Sequence, residues 1–232
     1  MSIDKMDSSL LRKKISESVQ LKNWIGKLDF ITDLEVKEAL EQRVQDKQNF
    51  LGEGGAGIVF RIDNKCIKLM RNRHNNQDAH LYNLGNHPKV EAEIQHKLKD
   101  FEVRSVSVPK IYNQYHDDYG AAIVMEELDA VNLQLVLNNQ EQLPDNFDLK
   151  EAFDELDEFI YIMNTQEGVA HNDLAPRNLM IDKKTGKFKV IDFGRSIVKS
   201  DNNSKTFQKA IDDDAEKVEE AQSKLEAYLA KN

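Results

Sequence analysis

The chain has 232 residues, of which 40% are hydrophobic and 31% charged, a composition typical of a globular protein with a sizeable core. Its formal net charge of −9 argues against a general nucleic-acid binder, because such proteins neutralise phosphates with a basic surface. The single cysteine, Cys66, excludes an internal disulfide and favours a reducing compartment. No apolar run is long enough to cross a membrane, and the polar start lacks a signal core, so we expect a soluble protein without membrane contact.

The start of the chain is predicted to form two amphipathic helices within residues 8–47. Helical spacing of apolar residues covers 8–29 with one phase slip, and a second helix is predicted from Thr32. Thr32 and Glu35 have the spacing of a capping box, in which two free backbone amides are satisfied reciprocally. Two interpretations stay open: the helices brace the following domain, or they form a docking surface for a partner protein.

Strand patterning replaces helical patterning after Asn49. Residues 50–60 are predicted to form a strand, a glycine turn and a second strand, and a hairpin turn at Asp63-Asn64 leads into a third strand. Three of the four glycines of this stretch, Gly52, Gly54 and Gly57, have the spacing Gly-x-Gly-x-x-Gly. Glycines let the backbone approach a ligand and direct its N–H groups at phosphate oxygens, although a glycine-rich hairpin without a ligand is the commoner finding.

A lysine, Lys68, lies in the middle of the third, apolar strand. Such a lysine must be either an edge charge or buried and paired with a carboxylate. A helix is predicted over residues 89–99, and Glu91 lies on its apolar flank, with Glu93 as the alternative partner. A Lys68–Glu91 pair would hold the lysine head against a phosphate.

The middle and end of the chain are predicted to alternate strands and helices. Two strands are expected at 108–115 and 121–126, and helices at 131–137 and from Leu149, where the excess of acidic residues is interpreted as a solvated helix face. The final predicted helix has an apolar stripe of Phe207, Ile211, Ala215, Val218, Ala221 or Gln222, Leu225 and Leu229.

The stretch from His171 to Asn178 and the Asp192-Phe193-Gly194 that follows flank a predicted hairpin. The hairpin would bring Asp173, Asn178 and Asp192 to one place. Two carboxylates and an amide suit Mg²⁺, which prefers oxygen ligands and leaves room for phosphate oxygens and water.

In this order, the glycine turn, Lys68, the helix glutamate, the 171–178 stretch and Asp192-Phe193-Gly194 closely resemble the protein kinase signature set. The resemblance extends from about residue 50 to Gly194. It implies an α+β, two-lobed fold, with an N-lobe of antiparallel sheet plus helix at 49–128. A truncated, mainly helical C-lobe would follow at 129–232, and residues 1–48 would be a helical extension.

The resemblance also implies roles for single residues, with ATP and Mg²⁺ as cofactors. Catalysis would depend on Lys68, Asp173, Arg177 and Asn178, with Asn178 and Asp192 holding the metal. The residues expected around the nucleotide are Gly52, Gly54 and Gly57 over the phosphates, Lys68 paired with Glu91, Val59, Cys66 and Met180 about the adenine, Met125 at the back of its pocket, and Glu126 and Leu128 at its edge.

Several positions depart from the family's pattern. Asn172 replaces the arginine that receives an activation-segment phosphate, so no such switch is expected. Ala175 stands where serine/threonine kinases usually have a lysine that neutralises the γ-phosphate, and Arg177 could supply that charge, as in tyrosine kinases. An Ala-Pro-Glu motif after Gly194 is missing, which is typical of minimal kinases: the Rio family, the small kinase of the KEOPS complex and short bacterial effector kinases of the OspG and NleH type. Two interpretations of Asp212 stay open: this residue, or its neighbour Asp213 or Asp214, supports the 171–178 backbone, or these aspartates form a solvated acidic helix start.

We therefore expect an active kinase, rather than a pseudokinase, that transfers the γ-phosphate of ATP to a hydroxyl, foremost of protein serine or threonine. A small-molecule kinase of the aminoglycoside or choline type is the first alternative. A binding module that presents residues 8–47 to a partner is the second. The expected location is the cytoplasm, or a host cell if the source is a bacterial pathogen.

Overall fold

The computed structural model describes residues 31–43, 46–53, 57–71, 88–116 and 120–231. The helix predicted at 8–29 and the glycine Gly54 lie outside these residues. Within the described ranges, no helix combines the length and apolarity needed to cross a membrane.

The elements follow the predicted alternation closely. In chain order they are α1 (Leu34–Arg43), β1 (Phe50–Glu53), β2 (Gly57–Ile62), β3 (Lys65–Arg71), α2 (Pro88–Lys97), β4 (Glu102–Val103), β5 (Val106–Ser107), β6 (Ile111–His116), β7 (Gly120–Glu126), β8 (Ala130–Asn132), α3 (Leu133–Leu137), α4 (Leu149–Thr165), β9 (Val169–Ala170), β10 (Leu179–Asp182), β11 (Phe188–Val190), β12 (Ile197–Val198) and α5 (Ser204–Leu229).

The N-terminal half contains an antiparallel sheet of order β1-β2-β3-β7-β6. Because successive side chains point to opposite faces of a strand, the two faces have different cores. One face packs against α1, whose Leu40 is fully buried with Phe60, Ile67 and other strand residues. The opposite face contacts α2 through a cluster that includes Cys66 and Ala92. Lys68 alternates with Ile67 and Leu69 and so lies on this second face.

The start of α1 differs from the predicted capping box. The side-chain oxygen of Asp33, not that of Thr32, accepts hydrogen bonds from the backbone N–H groups of Glu35 at 3.0 Å and Val36 at 3.2 Å. Both residues can cap a helix, and Asp33 satisfies two orphan amides of the first turn by itself. The capping-box prediction was therefore wrong by one residue.

The C-terminal half is built around α4, whose Phe153, Leu156 and Phe159 are buried in the main core. A second sheet of order β4-β5-β11-β10-β8 packs beside it, with β10 and β11 as the predicted hairpin. The acidic face of α4 is only partly solvated, because Glu155 is buried and its carboxylate lies 3.4 Å from the ammonium of Lys187. The helix predicted at 131–137 starts only at Leu133, after β8.

The last helix, α5, buries a stripe that differs from the predicted one. Its buried residues are Phe207, Ala210, Asp214, Val218, Ala221 and Leu225. Of the predicted stripe, Ile211 is half-buried, Ala215 is exposed and Leu229 is 44% exposed. The chain therefore has the expected mixed α+β architecture, but α5 presents an aspartate where an apolar residue was predicted.

Candidate active site

Lys68 is the centre of a buried ion-pair network between β3, α2 and the segment after β11. Its ammonium contacts the carboxylate of Glu91 and lies 2.7 Å from an oxygen of Asp192. The Lys68 and Glu91 side chains are only 7% and 2% exposed. Burial disfavours the charged ammonium, but the carboxylates of Glu91 and Asp192 outweigh that penalty and raise the pKa of Lys68. The lysine is therefore held as a cation.

The choice between the two glutamates of α2 follows from helix geometry. Glu91 is buried beside Ala92, on the face that packs against the sheet, whereas Glu93 is exposed. Glu93 comes two residues after Glu91, and two positions along a helix rotate the side-chain direction by about half a turn. The structure thus brings Glu91 to Lys68 and directs Glu93 away.

The loop 171–178, between β9 and β10, places Asp173 among hydrogen-bond donors. Both carboxylate oxygens accept from Nη2 of Arg177, at 2.6 and 2.7 Å. The amide nitrogen of Asn178 donates to the backbone oxygen of Asp173 at 2.8 Å and to its Oδ2 at 3.2 Å. Asp173 is 7% exposed, so its carboxylate is fixed in one orientation.

Two contacts join this loop to Asp192. The backbone N–H of Ile191 donates to the Asn178 carbonyl at 3.0 Å, and Nε2 of His171 lies 3.0 Å from the Ile191 carbonyl. Because that carbonyl accepts, we assign the proton of the neutral ring to Nε2. Burial lowers the pKa of His171, even though three nearby carboxylates favour its charged form. The neutral His171 therefore holds Ile191, the residue before Asp192, through this hydrogen bond.

Asp192 and Asn172 both have backbone angles in the left-handed region, with φ of 67° and 61°. Such angles are uncommon outside glycine, and asparagine and aspartate tolerate them best. The side-chain amide of Asn172 donates to the Arg195 carbonyl at 3.1 Å. Burial would raise the pKa of Asp192, but the Lys68 ammonium reverses that effect and lowers it. Asn172 thus joins the loop directly to the segment after Gly194.

The carboxylate that supports the loop from α5 is Asp214, not the foremost candidate Asp212. Its oxygens accept from the backbone N–H groups of Asn172 at 2.8 Å and Leu174 at 3.3 Å. Asp214 is fully buried, and burial raises its pKa. Asp212 is exposed and instead accepts from Gln208, one turn earlier on the same helix.

Two cations near Asp173 have no counterpart in the sequence prediction. Nη1 of Arg195 lies 3.7 Å and Nζ of Lys217 lies 3.8 Å from the Asp173 Oδ1. Lys217 comes from α5, one turn beyond Asp214. Nothing in the local sequence marks either residue, although α5 positions one turn apart share a face once Asp214 is known to be buried.

Val59, Cys66 and Met125, three of the residues predicted around the adenine, belong to the same face of the first sheet. Val59 packs against the cluster that contains Cys66 and Met125, and the Cys66 thiol lies 3.4 Å from the Glu126 carbonyl. Burial raises the pKa of Cys66 to about 12, so the thiol stays neutral. Leu128, half-buried, follows β7. The structure thus gathers these residues at the end of β7 that leads into the second half of the chain.

Met180, the remaining residue predicted around the adenine, is on β10. Its sulfur is 3.3 Å from the side-chain amide of Asn132, which also donates to the Arg177 carbonyl at 2.8 Å. Met180 therefore sits next to the loop that carries Asp173, half-buried rather than in the core.

The two described glycines of the turn differ in what the fold requires of them. A side chain at Gly57 would overlap with the Leu69 carbonyl oxygen and approach Met70 at 3.2 Å, so the pairing of β2 with β3 demands glycine there. A side chain at Gly52 would meet nothing within 4 Å. The fold leaves Gly52 unexplained, which is compatible with a ligand close to that strand end.

The residues expected to hold Mg²⁺ have suitable oxygen donors. Asn178 directs its amide nitrogen at Asp173, which turns its side-chain oxygen the other way, and Asp192 is held beside Lys68. In the part of the chain that the structure describes, no three histidine, cysteine or acidic side chains form a metal-binding group. A set of one amide and one carboxylate fits a cation whose other ligands are phosphate oxygens and water.

An open groove of about 570 Å³ lies elsewhere, lined by residues of the α4–β9 and β12–α5 connections that include Gly168, Lys199 and Ser204. Its lining contains none of the residues discussed above. It is therefore not the nucleotide site that the sequence predicts.

A lysine–glutamate pair between a sheet and a helix, joined to two acidic loops, defines the class of ATP-using phosphotransferases with a protein kinase fold. The model of the protein kinase domain family matches residues 45–212. Since this is more than half of the chain, the chain belongs to the protein kinase domain family.

Individual relatives are distant. The dual specificity mitogen-activated protein kinase kinase mek-2 of Caenorhabditis elegans is 26% identical over 178 residues, which cover 75% of this chain and 44% of that protein. The probable serine/threonine-protein kinase fnkB of Dictyostelium discoideum is 27% identical over 148 residues, or 62% of this chain and 27% of that protein. The chain thus spans less than half the length of these relatives. A 2.2 Å crystal structure of WbdD is similar over 68% of this chain and 35% of its own, with 17% identity and a TM-score of 0.47.

Proposed function

We propose that this protein transfers the γ-phosphate of ATP to a hydroxyl group, foremost of serine or threonine in a protein. The observation that carries the proposal is the convergence of Lys68, Glu91 and Asp192 with the loop that holds Asp173 and Asn178. These groups come from four separate segments of the chain. Phosphoryl transfer needs positioning and charge compensation more than covalent chemistry, and this set supplies both.

Each group has a distinct role in the proposed reaction. Lys68 neutralises the α- and β-phosphates, and its pair with Glu91 fixes the ammonium in place. Gly52, Gly54 and Gly57 let the backbone approach the phosphates, while Val59, Cys66, Met125 and Met180 contact the adenine, and Glu126 and Leu128 offer it backbone groups. Asn178 and Asp192 would hold Mg²⁺, which supplies positive charge to the phosphate oxygens.

Asp173 orients the attacking hydroxyl and accepts its proton. The hydroxyl oxygen forms a bond to the γ-phosphorus while the bond between that phosphorus and the β–γ bridging oxygen breaks, so ADP leaves with the electron pair. Arg177 holds both Asp173 oxygens, and it also supplies the positive charge that Ala175 cannot.

The centre is proposed to work without phosphorylation of an activation segment, as in minimal kinases of the Rio, KEOPS and short effector types. Two contacts support this. Asn172 hydrogen-bonds the Arg195 carbonyl, and β12 pairs with β9 immediately before the loop. Only nine residues separate Gly194 from the start of α5 at Ser204. The segment after Asp192 is thus already held by a neutral hydrogen bond and by strand pairing, without a phosphate.

The preference for serine or threonine is supported by the kinases that this chain resembles, one named as serine/threonine and one as dual specificity. The domain division at residues 48/49 and 128/129 is proposed from the resemblance of the sequence to the kinase signature set. The packing of α1 on the outer sheet face supports the brace role for its part of the N-terminal extension, and a partner bound through residues 8–47 remains a proposal to be tested by pull-down.

The direct test is transfer of labelled γ-phosphate to a proteome extract, with ATP consumption measured in parallel. Asp173→Asn keeps the shape of the side chain but removes the proton acceptor, and should lower the rate about 10²–10⁴-fold. The matched control is Asp212→Asn, an exposed carboxylate on α5, which should leave the rate unchanged. Chelation of Mg²⁺ should abolish transfer reversibly.

Two results would contradict the proposal. Equal ATP consumption by wild type and Asp173→Asn would show that no phosphoryl transfer occurs at this centre. Label transfer to small metabolites without any labelled protein would instead identify a small-molecule kinase.

A further inference from the structure

The carboxylate of Asp173 is surrounded by three cationic side chains from three different segments. Arg177 comes from the same loop, Arg195 follows Gly194, and Lys217 belongs to α5. One negative and three positive formal charges lie within 4 Å of one oxygen atom. This is unexpected in a chain with a net charge of −9.

The three cations are not equivalent. Arg177 donates hydrogen bonds to both oxygens of Asp173, so it pairs directly with that carboxylate. The nearest nitrogens of Arg195 and Lys217 lie 3.7 and 3.8 Å away, beyond the range of a hydrogen bond. Their side chains are 37% and 33% exposed. Both therefore remain able to donate to a further anion that arrives from solvent.

Two carboxylates within one turn of Lys217 on its own helix are engaged elsewhere. Asp214, one turn before it, accepts from the loop amides. Glu220, one turn after it, lies 2.6 Å from the ammonium of Lys224. Among the described residues, the salt bridge of Lys217 is to Asp173, at 3.8 Å, and not to a carboxylate of α5.

We propose that Arg195 and Lys217 select a protein acceptor that carries an acidic residue next to the phosphorylated serine or threonine. The proposal rests on the phosphotransferase function proposed above and adds its substrate class. A hydroxyl hydrogen-bonded to Asp173 places the neighbouring residues of its segment within a few ångströms of both cations. An acidic neighbour compensates their excess charge, whereas a basic neighbour is repelled.

The experiment compares three synthetic peptides that differ only beside one central serine, with glutamate, glutamine or lysine on both sides. We expect kcat/KM to be about tenfold higher for the glutamate peptide than for the lysine peptide, mainly through KM, and the ratio to fall as salt rises. Lys217→Glu should reduce that ratio about tenfold, and Arg195→Gln should reduce it less. Lys205→Glu, at an exposed position near the start of the same helix, is the matched control and should keep the wild-type ratio.

A non-reacting probe separates binding from turnover. The glutamate peptide with alanine in place of serine should inhibit wild type more strongly than the corresponding lysine peptide, and Lys217→Glu should abolish that difference. An equal kcat/KM for all three peptides, or a ratio that Lys217→Glu leaves unchanged in an enzyme that still labels protein, overturns the acceptor proposal while the kinase function stands. If the wild type labels no protein at all, both the acceptor proposal and the proposed kinase function are overturned.

Discussion

The side-chain carboxylate of Asp214 accepts a hydrogen bond from the backbone N–H of Asn172 at 2.8 Å. A second bond, from the Leu174 N–H, completes a buried clamp between α5 and the 171–178 loop. The loop backbone at Asn172 is in the left-handed region, so its conformation depends on such external support.

Replacement of Asp214 by alanine should therefore destabilise the protein and disturb the loop together. Two buried amides lose a charged acceptor, which should cost about 2–4 kcal/mol of unfolding free energy. The activity should fall as well, because Asp173 lies between the two clamped amides. Chemical denaturation and ATP turnover measure the two effects. Asp212→Ala, an exposed neighbour, should change stability by no more than about 0.5 kcal/mol; a similar loss in both variants would rule out the clamp.

The Lys68–Glu91 pair should show strong coupling in a double-mutant cycle. Lys68→Met removes the cation that compensates the buried Glu91 carboxylate and should cost about 3 kcal/mol of stability. Lys68→Met combined with Glu91→Met should recover part of that loss, since neither charge is then buried. Catalysis should stay lost in both, because the phosphates need the ammonium. Strictly additive stability losses in the cycle would argue against the pair.

The two described glycines of the N-terminal turn should respond differently to alanine. Gly57→Ala forces β2 away from the Leu69 carbonyl and should cost about 1–3 kcal/mol of stability. Gly52→Ala meets no protein atom, so stability should change by less than about 0.5 kcal/mol. If a phosphate lies against this backbone, the KM for ATP should nevertheless rise. Thermal melts and ATP titrations measure both, and an unchanged KM for Gly52→Ala would separate that glycine from the nucleotide.

The buried neutral His171 should make stability depend on pH. Its pKa in the folded protein is lowered by burial, so below about pH 6.5 the unfolded chain binds a proton that the folded protein does not. The unfolding free energy should therefore fall as the pH drops below about 6.5, by at most about 1.4 kcal/mol per unit from this group, until the folded-state pKa is reached. Above about 6.5 the contribution is constant.

Denaturation curves between pH 7.5 and 5.5 would measure this slope (roughly the window that the unperturbed histidine pKa defines). His171→Gln should flatten it, whatever its effect on absolute stability. His116→Gln, at an exposed position of β6, should leave the slope of the wild type. A slope that survives in His171→Gln would assign the pH dependence to other groups.

The local chemistry of the site could be predicted because it resides in short stretches with fixed spacing. No knowledge of distant contacts is needed to recognise a lysine in an apolar strand, an acidic loop before a hairpin, or Asp192 after that hairpin. Pairing of Lys68 with Glu91 rather than Glu93 followed from helical periodicity, which the structure reproduces. Strands of both sheets could also be predicted, because the turn residues that mark their ends act over only two to four positions.

The sequence by itself determined the kinase-like order of motifs, the α+β class and the candidate residues around the 171–178 loop. Only the tertiary structure decided that Asp214 rather than Asp212 clamps the loop, and that Arg195 and Lys217 reach Asp173. A helix repeat of 3.6 residues leaves the buried stripe of α5 ambiguous by one position. Its phase was fixed by contact of Phe207 and Ala210 with Ala170, residues far apart in sequence. The resulting orientation of α5 buries Asp214 and directs Lys217 toward Asp173.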